Sequence, residues 1–119
     1  MFNKSLLQLK RNLKKDFSNF RKIKIAILGD SSTQFLNIAI KGLGYDYDLN
    51  FDVFEADYDQ IPLQVFDTIS DLYNFNPDII IIFKSSHKLL HNYNINYLDN
   101  QSSFAINQIE EIENIYTTI

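Results

Sequence analysis

Leucine and phenylalanine open the chain at a near-helical spacing. Leu6, Leu7, Leu9, Leu13, Phe17 and Phe20 recur with Lys and Arg between them, so residues 3–20 read as an amphipathic helix packed on a neighbour. Residues 23–28, IKIAIL, alternate only partly, as an inner parallel strand does. Residues 33–43 return to a helical pattern, with Ser31 or Ser32 placed to cap its start and Gly42 or Gly44 placed to end it. Residues 49–54 alternate more cleanly, Phe51, Val53 and Glu55 on one side and Asp52 and Phe54 on the other. Ile61, Val65, Ile69, Leu72 and Tyr73 predict one helix over 61–75, stopped at the Asn74-Phe75-Asn76-Pro77 turn.

Asp78 then leads into four isoleucines and Phe83, the plainest strand in the chain. A continuous β-branched run of this kind suits a strand covered on both faces. Residues 84–100 are polar, Asn-rich and poorly periodic, which predicts a loop with one turn of helix near 88–90. Residues 101–119 carry Phe104, Ile106, Ile109, Ile112, Ile115, Tyr116 and Ile119 and predict a terminal helix. The alternation of helix and strand argues for a three-layer α/β unit with a short parallel sheet. Right-handed crossovers put the first strand in the middle, order 2-1-3. A helical lead over 1–20 and an α/β domain over 21–119 is the expected division. Three strands are few for this architecture, so the sheet is expected to be incomplete: either the chain is a truncated piece, or a partner covers the open edge. A second copy joined through that edge or through the first helix is one such partner.

The length of 119 residues, with 45% apolar and 22% charged residues, allows one folded domain with one modest core. The net charge of -4 hides an asymmetry. Lys4, Lys10, Arg11, Lys14, Lys15, Arg21, Lys22 and Lys24 make the start basic, while Glu110, Glu111 and Glu113 make the tail acidic. A basic amphipathic start can meet an anionic membrane or nucleic acid; it is equally the solvated face of a helix, and neither a membrane nor a nucleic-acid partner is expected. The chain has no cysteine, which removes disulfides, thiolate nucleophiles and cysteine metal sites. Its apolar runs fall short of the roughly 20 residues that span a bilayer, and charges from Lys10 onward interrupt any secretory segment. A cytoplasmic location is the expectation.

The segment Gly29-Asp30-Ser31-Ser32-Thr33 carries the candidate chemistry. It joins a strand to a helix at the edge where open α/β sheets place ligands. Gly29 lets the turn close, and Asp30 can accept backbone hydrogen bonds within it, while its charge opposes a simple phosphate cradle. Ser31 is a nucleophile if a base activates it, a ligand contact, or a helix cap along with Ser32 and Thr33. His87 and His91, the only histidines, follow the third strand four residues apart; either can act as a base. As zinc ligands they lack a glutamate between them and a third partner, so no metal and no cofactor are expected. Asp57 and Asp59 follow the second strand and face the same edge, as candidate ligand contacts or as solvated carboxylates capping the next helix. Motifs for nucleotide, metalloprotease or aromatic RNA-binding chemistry are absent from the sequence.

KIAILGDSSTQFL with its leading Ile23, VFEADYDQ over 53–60 and NPDIIIIF over 76–83 together resemble the amino-terminal part of FkbH-like proteins. In that family the front domain is similar to SGNH hydrolases and is followed by a HAD-type phosphatase domain. The resemblance covers roughly residues 20–85. It implies an SGNH-like or flavodoxin-like α/β fold, with Gly29-Asp30-Ser31 as the first SGNH block and Ser31 in the nucleophile position. The third block, a Gly-x-Asn arrangement, is here Lys84-Ser85-Ser86-His87. The Asp-x-x-His block would lie beyond Ile119, and the HAD domain is missing. What the resemblance implies is therefore a non-autonomous binding or assembly domain. Its context would be acyl or glyceryl transfer to a carrier protein, with an acyl carrier protein or a HAD-type phosphatase domain as partner. The alternative is a serine esterase or acyltransferase in which Ser31 takes its base from His87, His91 or another chain.

Overall fold

The computed structural model describes residues 3–119. Three parallel strands, β1 (Arg21–Gly29), β2 (Leu49–Glu55) and β3 (Ile79–Phe83), form one sheet in the order β2-β1-β3. Ile25 of β1 pairs with Val53 on one side and Ile79 on the other. Because side chains alternate along a strand, Ala26 and Leu28 face one layer and Ile25 and Ile27 the other.

Ala26 and Leu28 meet Ile61 and Val65 of α3 (Ile61–Phe66), Leu72 of α4 (Asp71–Phe75), and Ile115 of α7 (Phe104–Thr118). Ile80 and Ile82 of β3 pack on that cluster. The opposite face carries α2 (Gln34–Asp46), where Gly44 lies against Phe51 of β2, and α1 (Leu6–Asn12) packs on α2 in turn. The molecule is the expected α/β unit, a three-stranded parallel sheet of order 2-1-3 between helical layers. None of the described helices is long and apolar enough to cross a membrane.

Several elements depart from the pattern-based reading, each for a local reason. α2 does not stop at its glycines but runs on to Asp46. Gly42 and Gly44 are buried inside it because other chain segments press there: a Cβ on Gly42 would run into the Leu9 carbonyl, and one on Gly44 would come within 2.8 Å of the Phe51 ring and the Leu49 carbonyl oxygen. They are contact glycines, not terminators.

α1 ends at Asn12 rather than near residue 20. Its start is set by a capping box between Ser5 and Gln8. Its end is set by Asn12, buried, whose side-chain amide donates to the Gly42 carbonyl at 2.9 Å. Beyond it, Phe17 and Phe20 leave the helical period to pack edge-on and tilted against Tyr45, ring centroids 5.5 Å away in each case. Residues 1 and 2 of the expected helical lead lie outside the described residues.

The single helix expected over 61–75 is two helices. Ser70 donates its hydroxyl to the Gln64 carbonyl at 2.6 Å, and the Gln64 side chain accepts the Leu72 N–H at 3.1 Å. Those side chains replace main-chain helical bonds and break the helix at 67–70, turning Ile69 out to 78% exposure. The stop at Asn76 holds: it adopts a left-handed φ of 52° just before Pro77. Residues 84–100, expected as loop with one turn of helix near 88–90, contain α5 (Ser86–Ile95), which includes that turn, and α6 (Leu98–Gln101). Neither helix buries a residue, so neither carries the apolar stripe by which a helix is read from sequence.

Gly42→Ala will therefore destabilise the fold, although alanine is the better helix former by about 1 kcal/mol. Overpacking at the Leu9 carbonyl costs about 1–3 kcal/mol, and the urea midpoint should fall. A midpoint that is unchanged or raised would show that α1 is not seated on α2.

Candidate functional site at the carboxyl edge of the sheet

β1 delivers Asp30 into the interior, where it is only 4% exposed. Its main chain donates to the Phe83 carbonyl at 3.1 Å. Its carboxylate accepts the Ser85 N–H, 2.9 Å from one oxygen and 3.0 Å from the other, and accepts the Ser31 hydroxyl at 3.2 Å. Asp30 thus closes the bond between the ends of β1 and β3. Its backbone donor comes from across the sheet, not from its own turn. A buried carboxylate held this way is tolerated because its lone pairs are occupied.

The second tie runs to β2. Thr33, buried, occupies the N-cap position of α2 that was expected of Ser31 or Ser32, yet its side chain makes no capping bond. Thr33 instead donates its hydroxyl to Glu55 at 2.6 Å, and Asn37 donates its amide to the other Glu55 oxygen at 2.9 Å. Gly29 stands at the crossing, where a Cβ would lie 2.7 Å from the Thr33 methyl and 3.1 Å from the Ser31 carbonyl oxygen. Its φ is not positive, so close approach, rather than left-handed backbone, demands glycine here.

Ser31, Ser32, Thr33, Glu55, Asp57 and Tyr58 line an open recess of about 290 Å³. Asp57 is exposed on its rim. Asp59 belongs elsewhere: with a left-handed φ of 57° it donates its N–H to the Gly29 carbonyl at 3.1 Å and turns its carboxylate to Lys88, 3.6 Å away. It lines a neighbouring recess of about 260 Å³ with Asp30, Lys84, Lys88, Asn92 and Glu111, among others. The two aspartates are thus divided between two recesses. Among the described residues no group of three or more His, Asp or Glu side chains is placed to hold a metal ion.

Lys88 carries the resolved electrostatic shift of this edge. The Tyr58 hydroxyl accepts from its ammonium at 2.7 Å and, with the Asp59 carboxylate nearby, holds its pKa above the usual lysine value despite desolvation. The cation also lies 4.9 Å from the Tyr58 ring centroid. His87 sits in the first turn of α5 and His91 one turn on, both exposed. The Ser31 hydroxyl is bonded to Asp30, and among the described residues no histidine nitrogen shares a hydrogen bond with it. The recess beside Ser31 is negative on its rim, through Glu55 and Asp57, so it suits a neutral or cationic polar group better than a phosphate.

Pattern reasoning passed over Ser85 and Asn37 as site residues, and noted Glu55 only as one face of its strand. Ser85 lies two residues past the end of β3, within the Lys84-Ser85-Ser86-His87 segment that stands where the resemblance places the third block, and those positions were its visible signals. The role of Glu55 had none, since its partners come from another element.

Residues 24–119 match the family described as FkbH, N-terminal domain. The chain belongs to this family. A crystal structure of the N-terminal part of a Bacteroides fragilis protein, containing a phosphatase domain and complexed with Mg, is 38% identical to this FkbH N-terminal domain. The two superimpose with a TM-score of 0.89 over 94% of this chain, which spans 30% of that one. No curated protein matches the chain. The family match starts inside β1, so α1 and the Phe17–Phe20 aromatic pair lie outside it, whereas the Asp30, Glu55 and Ser85 positions lie within it.

Asp30→Ala should cost this FkbH N-terminal domain about 1.5–3 kcal/mol, the range for hydrogen bonds to a charged group. It should also loosen β3 first, seen as faster amide exchange at Ser85 than at the β1–β2 pairing. Equal loosening of both strand pairs would mean that Asp30 does not tie β1 to β3.

Proposed function

We propose that this FkbH N-terminal domain is a non-autonomous binding or assembly module that works beside a phosphatase domain. Its context is acyl or glyceryl transfer to a carrier protein in the cytoplasm, and it performs no hydrolysis alone. The unit is residues 21–119, preceded by α1 (Leu6–Asn12), and its turn is SGNH-like. The observation that carries the reading is the Ser31 hydroxyl, which donates to the buried, already hydrogen-bonded Asp30 carboxylate. Bonded to Asp30, and to no histidine nitrogen among the described residues, the hydroxyl has no imidazole base in place. In this reading Ser31, Ser32, Thr33 and Asp57 contact the group being positioned, Gly29 and Asp30 shape the turn, and Asp59 holds Lys88 beside it. Partnership with a phosphatase domain is supported by the Bacteroides fragilis protein, whose crystallised part contains one.

One arrangement favours a second reading. Asp30 binds the Ser85 N–H, so the serine turn and the first turn of α5, with its exposed His87, are held at one edge. A serine esterase or acyltransferase would use Ser31 with His87, His91 or a residue of another chain as base. Intact-mass analysis after exposure to a fluorophosphonate, with Ser31→Ala in parallel, separates the two. The module reading expects no adduct on the folded chain. A single adduct that disappears in Ser31→Ala would establish an activated serine and replace it.

A further inference from the structure

α2 carries more apolar surface than the sheet covers. Its charged residues are Lys41 and Asp46 alone, and a helix apolar beyond one stripe belongs in an interior. One side meets the sheet, where Gly44 lies against Phe51. A second side carries Leu36, Ala39, Ile40, Leu43 and Tyr47, spaced as one helical stripe. α1 leaves much of this stripe open. It has seven residues and seats on α2 at Gly42, where the missing Cβ admits the Leu9 carbonyl. Beside it runs a groove of about 450 Å³, lined by the stripe together with Leu9, Lys4 and Asp46. Leu36 and Tyr47, toward its two ends, are 38% and 56% exposed.

The groove has both a length and a position. From Leu36 to Tyr47 it follows about 16 Å of helix, enough for a docked helix to place three apolar anchors. Leu36 lies one turn beyond Thr33, which opens α2 at the serine turn. One end of the groove therefore starts beside the Ser31 recess.

Its wall is basic. Residues 1–24 hold eight of the eleven Lys and Arg and one of the fifteen Asp and Glu, so a chain that is net negative is positive at the end holding α1. Lys4 and Asp46 neutralise each other at 2.8 Å. Lys10 and Arg11, in the last turn of α1, are exposed, and among the described residues their side chains have no ion pair. An anion that fits here must bring apolar surface with it. Nucleic acid uses the cations and leaves the apolar stripe bare. A bilayer needs a protruding apolar face, whereas this one is sunk in a groove and α1 turns Leu9 toward α2.

We propose that the α1–α2 groove docks one amphipathic helix of a partner protein, its apolar face on Leu36, Ile40 and Leu43 and its acidic flank on Lys10 and Arg11. The inference rests on the module reading and deepens it. A partner helix lying along α2 brings the group that the partner carries to the serine turn where α2 begins.

The test titrates the isotope-labelled chain with a synthetic helix of about four turns, leucine at i, i+3 and i+7 and glutamate on its flanks. Amide shifts along Leu36–Tyr47 should move and saturate. Lys10→Glu with Arg11→Glu should weaken binding about tenfold or more, and Leu36→Glu should abolish it with the urea midpoint unchanged. Lys10 and Arg11 are exposed, so their double variant keeps the test decisive where Leu36→Glu unfolds. Three results overturn the inference. The first is α2 amides unmoved by the acidic helix, whether or not phosphatidylglycerol vesicles or duplex DNA move those of α1. The second is equal affinity for a helix with lysine in place of each glutamate. The third is a dimer of the chain alone, seen by sedimentation and broken by Leu36→Glu, which would seat a second copy in the groove. A fluorophosphonate adduct on Ser31 beside a seated helix would overturn the module reading and leave the docking standing.

Discussion

Everything at the functional edge depends on one buried carboxylate. Asp30 sits at the end of the central strand, where burying an ion is costly unless its lone pairs are filled. The chain supplies the Ser85 N–H beyond β3, shared by both carboxylate oxygens, and adds the Ser31 hydroxyl. The bond that makes Asp30 tolerable also fixes β3 beside β1 and starts α5. A side chain without an acceptor, such as alanine, would leave the Ser85 N–H buried without its partner, so the cost of losing the carboxylate falls on two strands at once.

The remaining strand is tied by a different route with the same logic. Glu55 ends β2 half-buried and takes Thr33 and Asn37 from α2, while Asp59 and Ala56 donate main-chain N–H groups to the Gly29 and Ile27 carbonyls. The serine turn is therefore held from both sides by groups that would otherwise be unsatisfied. Such a turn is rigid, and rigidity suits positioning a bound group. It also explains why Thr33 gives up a capping bond: its hydroxyl is worth more against a carboxylate than against an exposed helix N–H.

Away from this edge, the molecule distributes its apolar surface unevenly. The α3 face is closed by α3, α4 and α7, and the aromatic cluster of Phe17, Phe20 and Tyr45 seals α1 against α2. β3 is left half-covered.

The strands, their order and the Gly29–Thr33 turn were legible from residues 21–83, because β-branched runs and glycine-marked turns are local signals and crossover handedness is nearly invariant. The family was legible for the same reason, in three ordered blocks. The break at 67–70, the helices after β3 and the place of Gly42 and Gly44 were not. The break depends on Gln64 side- and main-chain bonds to Ser70 and Leu72, which no periodicity announces, the glycines depend on Leu9 and Phe51 pressing against them, and the helices after β3 bury no residue and so carry no apolar stripe. Ser31 was visible as a candidate from its turn alone; that its hydroxyl turns to Asp30, and that Asp57 and Asp59 face different recesses, was decided by where β2 and β3 end. A sequence determines which hydrogen-bonding groups and apolar faces a chain carries, whereas only the packed structure decides which of them meet, because burial makes each buried polar atom find a partner wherever the fold supplies one.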